Sequence, residues 1–204
     1  MKLKHIVITG VSRDDLPFGG AEYYMRTVQA VRELCPDTAV EILPGDFGVA
    51  PDAVEIILQC PPDVFNHNVE TVERLTPLVR DRKANYHTSL KLLWLVKQGK
   101  PDILTKSGLI IGLGEQWEEI LQTLKDLREV KCDGITIGQY IAPSAKHAPV
   151  EKYYTPEEFK QLEREAYKLG FKGVAAGPLV RSSYRAGGMF GGEEMNINGK
   201  NPRS

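Results

Sequence analysis

The chain has 204 residues, with 26 basic side chains against 27 acidic ones, a formal net charge of -1 and 42% hydrophobic residues. That length supports one domain of ordinary size, and near-average apolar and charged fractions exclude a disordered, collagen-like or membrane-spanning polypeptide. The balanced charge leaves no overall field to draw nucleic acid or an anionic membrane to the surface, so neither partner is expected.

The amino-terminal text MKLKHIVITGVS carries an apolar run too short for a signal segment or a span, so a cytoplasmic protein is expected. The first strand is predicted over 5–9, and Tyr24, Met25, Val28 and Val31 then recur at helical spacing. Further strands are predicted over 39–43, 64–67, 107–111, 134–137 and 172–175. Trp117, Ile120, Leu121, Leu124, Leu127 and Val130 make one apolar stripe on a helix after Glu115. Thr155, Pro156 and Glu158 write a helix start, Phe159, Leu162, Ala166 and Leu169 its buried face, and Gly170 its stop. Repeated strand-helix units imply either an open doubly wound sheet or a barrel. No G-x-G-x-x-G follows the first strand, and polar residues crowd the strand ends, which favours a barrel with its site at the carboxyl-terminal mouth. Residues 1–186 are read as that barrel domain, and 187–204, with no apolar period, as a disordered tail.

Four segments hold chemistry-bearing residues. In SRDDLPFGGAE, Gly19 and Gly20 let backbone groups approach a ligand closely, although the segment alone reads first as a plain loop. In DVFNHNVET, extended geometry puts Asn66 and Asn68 on one side and continues the row to Glu70, a set suited to the adjacent hydroxyls of a ribose; a turn is the alternative. His67 points the other way and reads as a packed, hydrogen-bonded histidine. In TKSGLIIGLGEQ the strand ends in Gly112, Gly114 and Glu115, with the lysine expected ahead of the strand and no G-K-[ST] after it, which excludes a phosphate-binding loop. Open backbone groups there suit the edge of a purine ring. Beyond the last strand, Arg181, Ser182, Ser183, Tyr184 and Arg185 form the densest polar cluster. The neighbouring pairs Asp14/Asp15 and Glu118/Glu119 read as solvated carboxylates. Cys35, Cys60 and Cys132 show no C-x-x-C spacing, and all three read as buried small hydrophobes in a reducing compartment.

Taken in order, HIVIT, VSRDDLPFGGAE, DVFNHNVETV, KANYHTSLKLL, TKSGLIIGLGE, ITIGQYIAPSAKH and GPLVRSSYRAG resemble the lipoyl synthases over nearly the whole chain, from about Lys4 to Gly187. Each motif is weak singly; their common order makes the resemblance specific. Lipoyl synthases are radical S-adenosylmethionine enzymes that insert two sulfur atoms into an octanoyl chain held on a lysine of a carrier domain. The resemblance implies an α/β fold, a partial (β/α) TIM-type barrel of the radical S-adenosylmethionine type that here lacks its first strand.

It also implies that Gly19, Gly20 and Ala21 receive the amino end of S-adenosylmethionine. Asn66, Asn68 and Glu70 then lie near its ribose, and Gly112, Leu113, Gly114 and Glu115 beside its adenine. Arg181 would stand near the substrate chain, and Ser183 would complete an auxiliary cluster. Implied partners are octanoylated lipoyl-carrier domains, such as dehydrogenase E2 subunits and the glycine cleavage H protein, and an electron donor such as ferredoxin or flavodoxin. The family holds two 4Fe-4S clusters on two cysteine triads that precede the strand reading HIVIT. Cys35, Cys60 and Cys132 match none of those ligands, and an arginine usual after the Asp-Phe pair is absent from LPGDFGVAPDAV. The chain alone is therefore expected to be inactive, as the carboxyl-terminal part of such an enzyme. The alternative is a cluster-free paralogue that binds S-adenosylmethionine or an octanoylated carrier domain.

Overall fold

Apolar, β-branched runs and amphipathic helices alternate along this chain, and each helix returns the backbone to start another parallel strand. The computed structural model describes residues 3–183 and 186–190. The elements in order are β1 (His5–Thr9), α1 (Ala21–Leu34), β2 (Ala39–Leu43), α2 (Pro51–Gln59), β3 (Val64–Asn66), a single turn α3 (Thr76–Val79), α4 (Tyr86–Gly99), β4 (Leu104–Ile111), α5 (Trp117–Glu129), β5 (Gly134–Gln139), α6 (Pro156–Lys168) and β6 (Gly173–Gly177). The six strands form one sheet in sequence order, every neighbouring pair parallel. A doubly wound sheet reverses its strand order at a switch point. This sheet does not, so right-handed crossovers stack the helices on one face and curl the other into the concave side of a partial barrel.

The expected strands are present with shifted ends. β3 stops at Asn66, β5 runs on to Gln139, and β6 covers Gly173–Gly177. β4 begins at Leu104, so Lys106 lies inside the strand and not ahead of it. Period-2 alternation along that strand sends Leu109 and Ile111 outward to the helices and Lys106 inward. The α6 signals act as written: Thr155 Oγ1 accepts from the Glu158 N–H at 3.2 Å, and Glu158 Oε2 accepts from the Thr155 N–H at 2.8 Å. Helices α2, α3 and α4 go beyond the sequence expectations; α4 is started by Asn85, whose Oδ1 accepts from the Thr88 N–H at 3.1 Å. The cysteine expectation holds for Cys132 alone, which is buried; Cys60 is half-buried and Cys35 is exposed.

The apolar core lies between the outer face of the sheet and the helices, where Val40, Ile42, Phe65, Leu109, Ile135 and Ile137 meet Val28, Ile57, Leu92, Leu124 and Phe159. The concave face is polar on β2 to β4 and small on β5 and β6. There the chain after β6 lies against the strands: a Cβ on Gly134 would come within 2.5 Å of Phe190 Cζ, and one on Gly138 would strike the Val180 carbonyl. Of the expected tail, 187–190 are thus placed and 191–204 lie outside the described residues.

Two ionic clusters hold buried carboxylates, one on the concave face and one at the amino ends of the strands. On the concave face, Lys106 Nζ of β4 donates to Glu41 Oε1 of β2 at 2.9 Å, and Asn66 Nδ2 of the intervening β3 donates to the same oxygen at 2.7 Å. Lys106 and Glu41 are both 0% exposed. His5 Nε2 of β1 stands 3.3 Å from Glu41 Oε2 without hydrogen-bond alignment. At the amino ends of the strands, Asp133 takes Lys97 at 2.5 Å, Lys172 at 2.8 Å and the Thr105 N–H at 3.0 Å. Burial opposes ionisation of Glu41, yet His5, Lys106 and Asn66 together hold its carboxyl below the usual range. The Asp133 carboxyl is held down in the same way, against burial, by Lys172 and Lys97.

Lys106→Met strands a buried carboxylate and is expected to cost about 3–5 kcal/mol in urea unfolding, with Glu41→Leu/Lys106→Met recovering most of the loss. A single variant as stable as the double would overturn the pairing. Both carboxyls are depressed in the folded state, so their contribution is present above their unfolded values and is lost as pH falls through the folded ones. Urea midpoints are accordingly expected to fall with acidification below about pH 4, and less steeply in Glu41→Leu/Lys106→Met.

Candidate functional site at the carboxyl mouth of the barrel

The loops that follow the strands gather the sequence-predicted residues at one end of the sheet. After β1, Phe18, Gly19 and Gly20 take φ of 52°, 59° and 81° and lead into Ala21, the buried first residue of α1. After β2, Phe47, Gly48 and Val49 take φ of 53°, 62° and 54°. These two left-handed stretches pack together, a Cβ on Gly19 falling 3.1 Å from the Phe47 Cα, a close approach and a positive φ that both favour glycine. Between them lies a cleft of about 440 Å³ lined by Arg13, Asp14, Gly19, Tyr24, Asp46 and Gly48. Asp14 and Asp15 are exposed as expected, but each is paired, with Lys83 and Arg13 respectively.

After β3 the row expected along an extended strand divides. Asn66 is fully buried and donates to Glu41, leaving its own Oδ1 without a partner. Asn68 and Glu70 form a pair of their own, Asn68 Nδ2 donating to Glu70 Oε1 at 2.9 Å. Extended geometry does not persist: Glu70 has φ +65°. It still bonds to β4, its N–H reaching the Gly108 carbonyl at 3.0 Å and its carbonyl taking the Ile110 N–H at 2.7 Å. The Asn68 carboxamide lies over Gly108, where a Cβ would be 2.7 Å from Oδ1, and that oxygen is buried without a partner. His67 faces outward and is hydrogen-bonded, as its position predicted, to the Pro44 carbonyl at 3.2 Å and Ser89 Oγ at 3.1 Å. Burial pushes its imidazole down to about 4, so the ring is neutral.

After β4 the edge expected to be open is closed in part by Glu115. Its two oxygens accept from the Gly112 N–H at 2.7 Å and the Leu113 N–H at 2.9 Å, and Oε1 also takes the Tyr154 hydroxyl at 2.8 Å. Burial, and then the carboxylate beside it, raise the Tyr154 hydroxyl well above its ordinary range. The Gly114 carbonyl takes Arg74 Nη2 at 2.9 Å, while Arg74 forks onto Glu119 at 2.7 and 2.9 Å. Beyond β6, Arg181 is exposed, and a Cβ on Gly138 would lie 3.2 Å from its Nη1, so it stands at the concave face. Ser183 is exposed in the turn beside it, and Tyr184 and Arg185 lie outside the described residues.

Residues that sequence reasoning passed over complete the site: Glu41 and Lys106 under Asn66, and Arg80, which donates to the Val69 carbonyl at 3.2 Å. Their signal was a lone charge inside an apolar strand, in VEIL and in LTKSGLII. A charge in such a strand needs an interior partner.

The donor set suits a nucleoside better than an iron-sulfur cluster. Cys35 and Cys60 cap α1 and α2 at their carboxyl ends and Cys132 precedes β5, all at the end of the sheet away from the mouth. Among the described residues no three His, Cys, Asp or Glu side chains converge to hold a metal. Ser183 offers one exposed hydroxyl, and a cluster is built on thiolates. These residues do not fit a 4Fe-4S cluster.

A parallel partial barrel with its polar groups at the carboxyl mouth defines a class of enzymes that bind a small ligand there. The family model of the radical SAM superfamily matches residues 1–127, and the chain belongs to that superfamily. It is 53% identical over 184 residues to a lipoyl synthase of Caldanaerobacter subterraneus subsp. tengcongensis, covering 90% of this chain and 64% of the relative. It is 50% identical over 190 residues to that of Thermus thermophilus, covering 93% and 59%. The chain thus spans about 60% of the length of the curated relatives it matches. The crystal structure of methylornithine synthase shares the fold, with a TM-score of 0.63, 15% identity, and coverage of 82% of this chain and 48% of that one. No helix among the described residues is long and apolar enough to cross a membrane.

Anaerobic reconstitution of the 204-residue chain with iron and sulfide is expected to leave no stable cluster absorbance after desalting. A stoichiometric 4Fe-4S spectrum would contradict the ligand geometry.

Proposed function

We propose that the chain supplies the S-adenosylmethionine-binding barrel of a lipoyl synthase, which inserts two sulfur atoms into an octanoyl chain on a carrier domain. The Asn68–Glu70 pair carries the reading: a carboxylate and a carboxamide 2.9 Å apart at the mouth, with Asn68 Oδ1 unpartnered. A ribose offers two adjacent hydroxyls that each donate and accept, and these two side chains offer a surplus of acceptors. S-adenosylmethionine bound there would, on receiving one electron from a reductant held elsewhere in the whole enzyme, release methionine and supply a radical able to take hydrogen from an unactivated methylene.

The chain's own residues hold and orient it. Glu70 and Asn68 take the ribose hydroxyls, and Asn66, buried and anchored on Glu41, supports the strand end beneath them. Glu115 stiffens the segment of Gly112, Leu113 and Gly114 that runs beside the adenine. Gly19, Gly20 and Ala21 receive the amino end, with backbone groups exposed by their left-handed turn. Arg181 borders the octanoyl chain, brought in by a lipoyl-carrier domain such as a dehydrogenase E2 subunit or the glycine cleavage H protein. Ferredoxin or flavodoxin serves as electron donor in the whole enzyme. The remoteness of all three cysteines from the mouth favours a second reading of this chain taken alone, a cluster-free protein that binds the same ligands without the radical step.

Calorimetric titration of the chain with S-adenosylmethionine and with 5'-deoxyadenosine is expected to show binding of both. Glu70→Ala should weaken each by about 10- to 100-fold, the loss of a charge-assisted hydrogen bond or two. No binding, or unchanged affinity in Glu70→Ala, would overturn the nucleoside site. Capture of an octanoylated carrier domain without nucleoside binding would leave only the carrier part of the second reading.

A further inference from the structure

Residues 67–70 form a strap between β3 and its bridge to β4. Alternation sends Asn68 and Glu70 to the concave face and His67 and Val69 to the outer one. Glu70 holds φ +65°, a conformation that a side-chain-bearing residue adopts only when its surroundings impose it. The Glu70 backbone itself is held by β4, at the Gly108 carbonyl and the Ile110 N–H, and the residues before it are held on the outer face. Arg80, at the carboxyl end of α3, donates through Nη1 to the Val69 carbonyl at 3.2 Å and to Ser89 Oγ of α4 at 3.3 Å. Ser89 Oγ meets His67 Nε2 at 3.1 Å, and His67 Nδ1 meets the Pro44 carbonyl at 3.2 Å.

The direction of this chain follows from its ends. The Pro44 carbonyl only accepts, so Nδ1 carries the proton of the neutral ring and Nε2 is left to accept the Ser89 hydroxyl hydrogen. The Ser89 lone pairs are then free for the Arg80 N–H. Donation therefore runs from Arg80 through Ser89 and His67 to Pro44, with a branch to Val69. It grips the two outward residues on either side of Asn68. Arg80 is half-buried, and the carboxylates that act on its charge are Glu70 and Asp46. None of its hydrogen bonds ends on Asn68 or Glu70, so apart from the Arg80 charge felt by Glu70 it works through the residues it fixes.

We propose that Arg80 is a positioning residue for the ribose subsite: with Ser89 and His67 it sets the strap so that Asn68 and Glu70 meet a pair of vicinal hydroxyls. The proposal rests on the nucleoside reading above and deepens it. An anchor for Asn68 and Glu70 should matter for a ligand that carries the hydroxyls and be indifferent to one that lacks them.

The test is titration of the whole chain, as wild type, Arg80→Gln, Arg80→Lys, Glu70→Gln and Arg80→Gln/Glu70→Gln, with 5'-deoxyadenosine and with 2',3'-dideoxyadenosine. Arg80→Gln is expected to weaken 5'-deoxyadenosine roughly tenfold and to leave the dideoxy analogue unchanged. Lysine, which keeps a donor and the charge, should restore part of the loss, and Arg80→Gln should cost nothing further in the Glu70→Gln background. Equal losses for both nucleosides, or additive losses in the double variant, would mean a merely structural arginine and overturn the proposal. If the wild type does not distinguish the two nucleosides, the ribose reading itself fails and takes the proposal with it. Should Arg80→Gln not fold, Ser89→Ala breaks the same chain one bond further on and is held to the same outcomes.

Discussion

The buried pair of Glu41 and Lys106 fixes the concave face on which everything else is arranged. The two charges sit on β2 and β4, and Asn66 on the strand between them joins the same carboxylate oxygen at 2.7 Å. A carboxylate or an ammonium taken alone into this interior would be strongly unfavourable, and each is tolerable only because the other is in reach. Strand register is thereby coupled to charge. A slip of one residue in any of the three strands would turn Glu41, Asn66 or Lys106 into the apolar layer under the helices.

From that face the site rises through alternation and its interruption. Asn66 ends β3 in contact with Glu41, Asn68 lies over Gly108, and Glu70 turns left-handed yet stays hydrogen-bonded to β4. The outward residues of the same strap are tied to α4 and to the loop after β2, so the inward pair is held from behind. The loop after β4 follows the same logic at smaller scale, with Glu115 closing two of its own backbone N–H groups. A ligand at the mouth meets side chains whose conformations have already been decided elsewhere.

Much of the fold was legible in the sequence because its elements are written by local rules. HIVIT and GITIGQ are β-branched runs, Thr155 to Glu158 is a capping box, and the stripe from Ile120 to Leu127 has helical period. α4 was harder to see because its buried face carries Ser89 and Lys97 among Leu92, Leu93 and Val96, which blurs the stripe. Lys106 escaped for a related reason. A lysine in an apolar run reads as the edge of a strand unless its partner, 65 residues away, is known. Cys35 and Cys60 were misjudged because they follow the last turns of α1 and α2, where burial depends on the neighbouring element rather than on residue type.

By itself the sequence determined the alternating elements, the parallel barrel class, the segments that gather at its mouth and the likeness that runs through them in order. The elements and their order follow from periodicity and spacing along the chain, which are local properties, and the likeness is a resemblance carried by motifs that recur in one order. Only the tertiary structure decided that Asn68 and Glu70 form a pair while Asn66 belongs to the Glu41–Lys106 cluster, that the Gly112 edge is partly spent on Glu115, and that Arg80 stands behind the strap. Each of those facts is a contact between residues far apart in sequence or on opposite faces of one strand, and such contacts exist only once the sheet has curled and brought them within a hydrogen bond.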